Sequence, residues 1–295
     1  MEALVQGKKE SHRITKIIRH YLETGDDTSQ SALAYKPPYP HPTKEELLAA
    51  LSKEVGEREK TRSPATLPPG VDTLSLARSK AEPMARGFFP AIEREAVQQV
   101  LQKSVIFLTA DSIHKLIMSA RWLHTAWGVA NIYLDSIDAE PMGNSDFQAL
   151  GLGEETTSFV SLKYFTEKDL FADYVVHEMA HVFHNWKRAW TDLREIRHRE
   201  FLLNIKFAKR ETFAFACEVY SRILEFGRSP KERQRLLERF SRESPIGVGE
   251  EREELLLILS DAIEARNGWK RILKMCLEDL PKRWVPSISS AKAAN

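Results

Sequence analysis

The segment His177-Glu178-Met179-Ala180-His181 constrains this chain more than any other part of its sequence. Residues four apart in an α-helix lie one above the other on the same face. His177 and His181 can therefore direct two imidazole nitrogens at one zinc ion, with bonds of about 2.0–2.1 Å. Glu178 follows the first histidine and can reach a water on the ion without binding the ion itself. The segment thus predicts a zinc site with two histidine ligands and Glu178 as the general base.

The residues around this motif argue against an exposed helix that carries two histidines by chance. Thr166 followed by Asp169 predicts a helix N-cap about three turns before the motif. The apolar residues of the stretch then form two neighbouring stripes, Phe171, Val175 and Val182 in one and Val176, Met179 and Phe183 in the other. A helix that is apolar on most sides is buried. Buried histidines and glutamates are rare unless they are paired or bind a metal.

The segment just before the motif, Ser158–Phe165, is rich in residues that favour β-strands. Val160, Leu162 and Tyr164 alternate with polar residues, which is typical of a strand with one solvent-exposed face. An edge strand beside a zinc site can pair with an extended peptide. An ordinary strand inside a sheet would explain the same pattern equally well.

A catalytic zinc site usually has three protein ligands and one open position. The metzincin pattern would require glycine at position 184 and histidine at position 187, but the chain has His184 and Lys187. The predicted helix at 209–227 carries two acids seven residues apart on one apolar face, Glu211 and Glu218. Either acid, or His184 on the motif helix, is a candidate third ligand.

The two motifs His177-Glu-Met-Ala-His181 and Glu211-Thr-Phe-Ala together resemble the gluzincin metallopeptidases, above all the small, lethal-factor-like members. The resemblance covers roughly positions 155–227. It implies that His177, His181 and Glu211 bind zinc and that Glu178 is the base. In the thermolysin-like pattern, an acid four residues after the ligand glutamate supports a histidine. Position 215 is Phe here, so that support must come from elsewhere, for example from Glu218.

Gluzincins also tend to stabilise the oxyanion of the tetrahedral intermediate with a tyrosine or histidine. The physical requirement is a hydrogen-bond donor aimed at the developing negative charge. Tyr220, His198 and Tyr174 are the candidates, and the sequence does not rank them.

Composition indicates one substantial core with an appendage, since 42% of the 295 residues are hydrophobic. The net charge of +1 argues against a nucleic-acid or membrane partner for the whole chain. Cys217 and Cys276 lie in apolar helical patterns and are predicted to be buried thiols, which fits a reducing compartment. The sequence shows no secretory signal and no apolar run of about eighteen residues, so we expect a cytoplasmic protein.

Residues 1–87 are predicted to form a helical arm and a Pro-rich connecting segment. Positions 11–23 have helical spacing, and Thr43-x-x-Glu46 is a capping box for a helix to about Val55. Nine of the fourteen prolines lie between Pro37 and Pro90, which favours extended connection. Such a segment could shield the cleft or serve as a plain docking arm.

Residues 88–295 are predicted to form a zincin-like metallopeptidase domain. The pattern predicts a helix near 91–103, strands at 104–109 and 128–135, and a loop at 136–157 before the strand that precedes the motif. It predicts helices at about 191–208, 209–227, 230–241, 249–266 and 269–280. The expected fold class is α+β and mostly helical, with a small sheet over the active-site helix and a helical C-terminal half.

Two functions from different classes follow from these residues. The first is a zinc-dependent metallopeptidase that hydrolyses a peptide or protein substrate, with Glu178 as general base. The second is a non-catalytic zinc-binding module that regulates a partner or acts as a sensor. Hydrolysis of a non-peptide amide is a third reading, because the motif specifies the nucleophile and not the substrate.

Overall fold

Helices surround one small sheet in the computed structural model, which describes residues 2–26, 41–143, 151–154, 156–191, 193, 200–247 and 249–277. The predicted α+β, mostly helical fold class is confirmed. The elements in chain order are α1 (Glu2–Thr24), α2 (Lys44–Glu59), α3 (Thr73–Phe88), α4 (Ala91–Ser104), β1 (Val105–Phe107), α5 (Ile113–Ser119), α6 (Leu123–Ser136), β2 (Gly151–Glu154), β3 (Thr157–Val160), α7 (Tyr174–Asn185), α8 (Arg210–Phe226), α9 (Pro230–Glu243), α10 (Gly249–Glu264) and α11 (Gly268–Leu277).

The sheet has the strand order β1-β3-β2 and packs on α7, the helix that carries the motif. Strand β1 is parallel to β3, whereas β2 is antiparallel to it, and both Ile106 and Leu152 lie opposite Phe159. The strand predicted at Ser158–Phe165 therefore ends at Val160 and continues as a 3₁₀ helix, Leu162–Thr166. The reading of this strand as an edge is wrong, because β3 is central and β2 lies at the edge.

The segment predicted as a strand at 128–135 is instead the second half of α6. Its residues are buried almost without interruption, including Val129, Ile132 and Leu134. A continuous apolar run does not separate a buried helix from a buried strand, because both lack a polar face. The loop predicted at 136–157 contains a strand of its own, β2.

The N-terminal helices share the core with the rest of the chain. The capping box of α2 is confirmed, since Glu46 N–H donates to Thr43 Oγ1 at 3.2 Å and Thr43 N–H donates to Glu46 Oε2 at 2.7 Å. Leu51 of α2 and Met84 of α3 are fully buried in the same cluster as Cys276 of α11. Residues 73–88 are helical although Pro83 lies inside them. The division into two domains at residue 88 stays a prediction.

Helices α8 to α11 follow the predicted segments closely, and Cys217 and Cys276 are buried free thiols as expected. The helix predicted at 191–208 is wrong for the described part of that range. Phe201 forms an isolated bridge with Lys187, and Phe207–Lys209 is a short 3₁₀ helix. The remaining residues of the range lie outside the described part of the chain.

No helix within the described residues is both long enough and apolar enough to span a membrane.

Candidate metal centre

Helix α7 begins one turn before the motif, at Tyr174, and not near Thr166 as the sequence predicted. Its N-cap is Asp173, whose carboxylate accepts a hydrogen bond from Val176 N–H at 3.3 Å. The other carboxylate oxygen of Asp173 lies 2.8 Å from Nζ of Lys80 on α3. Thr166 instead ends the preceding 3₁₀ helix, Leu162–Thr166. The start of α7 is thus set by a buried acid that is paired across the fold.

The structure brings His177, His181 and Glu211 together as a group that could hold a metal ion. The Nε2 atoms of the two histidines lie 3.2 Å apart. Oε2 of Glu211 lies 3.7 Å from Nε2 of His177 and 3.6 Å from Nε2 of His181. A tetrahedral ion with bonds of about 2.0–2.1 Å separates its ligand atoms by about 3.3–3.4 Å. The three atoms therefore already lie close to the spacing that such an ion requires.

The second nitrogen of each histidine ring is engaged elsewhere. Nδ1 of His177 lies 3.0 Å from Oε2 of Glu218, and Nδ1 of His181 lies 3.3 Å from Nε2 of His184. The other oxygen of Glu218 accepts a hydrogen bond from Asp173 N–H at 2.7 Å. Partners of this kind fix the ring orientation of metal-binding histidines. Glu218 and His184, the two other candidates for third ligand, thus contact the nitrogens that face away from the shared point.

The ring of Phe215 packs edge-on against His177, with 4.8 Å between ring centroids. This is the position at which the thermolysin-like pattern has an acid. The supporting carboxylate comes from Glu218, about one turn further along α8. The departure at position 215 is therefore compensated within the same helix.

Glu178 lies between the metal-binding group and the edge strand β2. Its side chain is buried, and Oε2 has no hydrogen-bond partner among the described residues. A Cβ atom placed on Gly151 would lie 2.4 Å from Oε1 of Glu178, which is closer than real atoms approach. Glycine at position 151 therefore makes room for the carboxylate. Position 153 could hold a larger residue, because a Cβ atom there would lie 3.6 Å from Oε2 of Glu178, an ordinary van der Waals contact.

The charges of the centre are strongly coupled in the metal-free protein. Burial, helped by the charges of Glu211 and Glu218 and opposed by that of His177, raises the pKa of Glu178 to about 7. Burial lowers the pKa of His177, but its contacts with Glu211 and Glu218 outweigh burial and raise the pKa to about 10. Burial and the charge of His177 lower the pKa of His181 to about 4. One proton on His177 thus balances a cluster of carboxylates, a role that a metal cation can take over.

The candidates for an oxyanion donor have other contacts. Tyr174 donates its hydroxyl hydrogen bond to Glu167. Tyr220 is buried, and its hydroxyl lies so close to Gly268 that a Cβ there would meet it at 2.2 Å. Its ring packs against Trp269 of α11 at 5.0 Å. His198 lies outside the described residues.

Three residues of the site were missed by the sequence reasoning: Gly151, Asp173 and Arg210. Gly151 was read as part of a loop, and Asp173 falls inside a helix that was expected to start earlier. Arg210 directly precedes Glu211, and its guanidinium lies 5.2 Å from the centroid of the Phe207 ring. No periodicity marks these residues. Only residues 151–154, Gly-Leu-Gly-Glu, could have indicated a site residue, because glycines in a strand allow another group to approach closely.

Comparison of the chain with protein-family models, with curated proteins and with solved structures found no match in any of the three.

Proposed function

We propose that this protein is a zinc metallopeptidase of the gluzincin type, with His177, His181 and Glu211 as ligands and Glu178 as general base. One observation carries the proposal. The two Nε2 atoms and the Glu211 carboxylate converge at tetrahedral spacing beside a buried carboxylate oxygen of Glu178 that has no partner among the described residues. A structural metal site would have no need for such an oxygen.

The donor set supports zinc as the ion. Two imidazole nitrogens and one carboxylate are the ligands of many catalytic zinc sites that keep one position open. When bound, zinc lowers the pKa of a water molecule to about 7 and polarises a substrate carbonyl. Glu211 is 64% exposed while the two histidine side chains are 14% and 16% exposed, so the group opens to solvent on the Glu211 side. A substrate can approach from that side.

Glu178 is placed to carry a proton between the attacking water and the product. Its carboxylate is buried beside the group that would hold the metal, and Oε2 has no hydrogen-bond partner among the described residues. Its free Oε2 takes the proton of the attacking water and later returns the proton to the leaving amine. Gly151 keeps the carboxylate in place, since the strand backbone lies directly against Oε1.

The edge strand β2 suits a peptide substrate. Within the described residues it pairs along one side only, with β3, and Gly151 and Gly153 line it next to Glu178. An extended peptide that pairs with such a strand gains main-chain hydrogen bonds whatever its side chains. The scissile bond would then lie beside Glu178. We therefore assign the pairing with substrate to β2, and not to β3, the strand that precedes the motif.

The test compares wild type with Glu178→Gln by zinc content and by cleavage of a quenched fluorescent peptide library. We expect about one zinc per chain in both proteins, measured by elemental analysis, because Glu178 is not a ligand. Hydrolysis should fall by about 10²–10⁴-fold in Glu178→Gln, the usual contribution of a general base. Glu238→Gln, an exposed acid on α9, is the matched control and should cleave like wild type.

Each alternative has its own outcome in this experiment. Wild type that holds zinc fully but cleaves no peptide would favour the regulatory or sensor module. Wild type that holds no zinc after reconstitution at neutral pH would contradict both readings.

A further inference from the structure

Arg210 is a cation held beside the metal centre. It is the first residue of α8 and directly precedes the ligand Glu211. Its guanidinium lies 5.2 Å from the ring centroid of Phe207, a residue that is 83% exposed. An arginine stacked on an aromatic ring keeps its planar edge available for hydrogen bonds. Phe207 therefore fixes the guanidinium without using its donors.

The guanidinium has no acidic partner in the described part of the chain. Its Nε atom is buried and makes no hydrogen bond there, and Arg210 forms no ion pair with any described residue. The neighbouring cation differs, since Nζ of Lys209 lies 2.6 Å from a carboxylate oxygen of Glu254. A buried donor without an acceptor is unfavourable unless something completes it. The guanidinium of Arg210, which has no acidic partner among the described residues, therefore suits an acceptor that belongs to a bound ligand.

Arg210 lies at the open end of the metal-binding group. It directly precedes Glu211 in the first turn of α8. The side chain of Glu211 is 64% exposed, whereas that of His177 is 14% exposed, so this end of α8 is the side from which a substrate can approach.

We propose that Arg210 is a specificity-determining residue that binds a carboxylate of the substrate next to the metal centre, an inference that rests on the proposed peptidase function. A guanidinium matches a carboxylate through two parallel N–H···O bonds, which lysine cannot reproduce. The carboxylate has two sources in a peptide, an Asp or Glu side chain and the C-terminus. Both are recognised by the same chemistry.

The experiment uses two labelled peptide libraries that differ only in having Asp and Glu, or Asn and Gln, at the varied positions. Each library is made with a free and with an amidated C-terminus. Binding is measured by fluorescence anisotropy on the full chain carrying Glu178→Gln with zinc added, so that no peptide is consumed. We expect carboxylate-bearing peptides to bind about ten- to a hundredfold more tightly than their neutral counterparts, as for a hydrogen bond to a charged group.

Adding Arg210→Gln should abolish that preference, and Arg210→Lys should keep only part of it. Lys209→Gln removes a neighbouring cation that already has a partner, and it should keep the preference in full. Loss of the preference on amidation assigns the carboxylate to the C-terminus, while loss on the Asp and Glu exchange assigns it to a side chain. Equal binding of all four libraries, or a preference that survives Arg210→Gln in a chain with normal zinc content, would overturn the proposal.

The same variants separate this inference from the proposed function. If wild type binds zinc and cleaves nothing, the peptidase proposal fails, while the anisotropy measurement still decides whether Arg210 binds a carboxylate. If wild type cleaves peptides with no preference for carboxylates, the inference fails alone.

Discussion

Helices α7 and α8 pack against each other through two groups of different character. One is the aromatic cluster of Phe88, Phe183 and Phe213, whose ring centroids lie 5.3 to 6.4 Å apart. The other is the candidate metal centre, the group of His177, His181 and Glu211 that could hold an ion, with Glu218 in contact with His177. The aromatic cluster is buried and has no titratable group, whereas the metal centre holds buried charges.

The two groups stabilise the protein by different means. Buried aromatic rings contribute through apolar burial and edge-to-face contacts, which need no partner of opposite charge. Buried carboxylates are unfavourable unless hydrogen bonds or a cation compensate them. The aromatic cluster can therefore hold α7 against α8 without a bound metal. The buried carboxylates of the metal centre, in contrast, lower the stability of the metal-free protein. Four measurements test this division.

The largest effect is expected from Phe213→Ala in the aromatic cluster. Loss of this fully buried ring should lower the free energy of unfolding by about 3–5 kcal/mol, through lost burial and a cavity. Urea denaturation of the metal-free protein measures it. Phe226→Ala, at a position 44% exposed on the same helix, should change stability by only about 0.5 kcal/mol. A loss below about 1 kcal/mol for Phe213→Ala would show that the cluster is not what holds α7 to α8.

The pH dependence of stability should belong to the metal centre. Burial raises the pKa of Glu178 from 4.5 to about 7, so the folded protein keeps a proton that the unfolded chain loses. Between these values wild type should lose stability relative to Glu178→Gln as pH rises, by about 3 kcal/mol in total.

Chemical denaturation at several pH values with a chelator present measures this difference. Below pH 4.5 Glu178 is protonated in both the folded and the unfolded state. The free energies of unfolding of wild type and Glu178→Gln should then differ by a constant amount. Glu238→Gln, at an exposed position on α9, is the control. A difference between wild type and Glu178→Gln that stays flat from pH 4.5 to 7 would contradict the buried, unpaired carboxylate.

Substitution of Glu211, the proposed ligand, should weaken zinc binding more than substitution of Glu218, which contacts His177. Glu211→Gln removes a charged ligand and should weaken zinc binding by more than about 100-fold. Glu218→Gln acts through the orientation of His177 and should weaken it by about ten- to a hundredfold. Titration against a chromophoric chelator compares them, with Glu238→Gln, the exposed acid on α9, as the control. A larger loss in Glu218→Gln than in Glu211→Gln would reverse the assignment.

The smallest effect is expected at the edge strand. Gly151→Ala places a methyl group 2.4 Å from Oε1 of Glu178, so the carboxylate must move. Peptide hydrolysis should fall by about tenfold, within the range that overpacking produces, while zinc content stays the same. Gly153→Ala meets Glu178 at an ordinary 3.6 Å and should act like wild type. Equal rates for both variants would mean that β2 does not hold the base.

Several elements could be predicted because their signals are local. The capping box at Thr43 and Glu46 predicted the start of α2, and Gly227, Pro230 and Gly268 mark the ends of the C-terminal helices. Two errors also have local causes. The apolar run in α6 was read as a strand because burial removed the polar face that would have shown its period. The start of α7 was placed too early because Thr166 and Asp169 imitate a cap that the chain forms at Asp173.

For the site, the spacing of His177 and His181 was sufficient to place both rings on one helix face, because that face follows from the geometry of a single helix. The choice among Glu211, Glu218 and His184 required the fold, because it depends on how far α8 is rotated and shifted along α7. The packing of Phe183 against Phe213 contributes to that position, and these residues are thirty apart in the chain. The contact between Gly151 and Glu178 likewise exists only because β3 pairs with β2 and packs on α7. Helix periodicity relates residues only a few positions apart. The position of Glu211 beside the two histidines and the contact of Gly151 with Glu178 depend instead on segments that are distant in the chain.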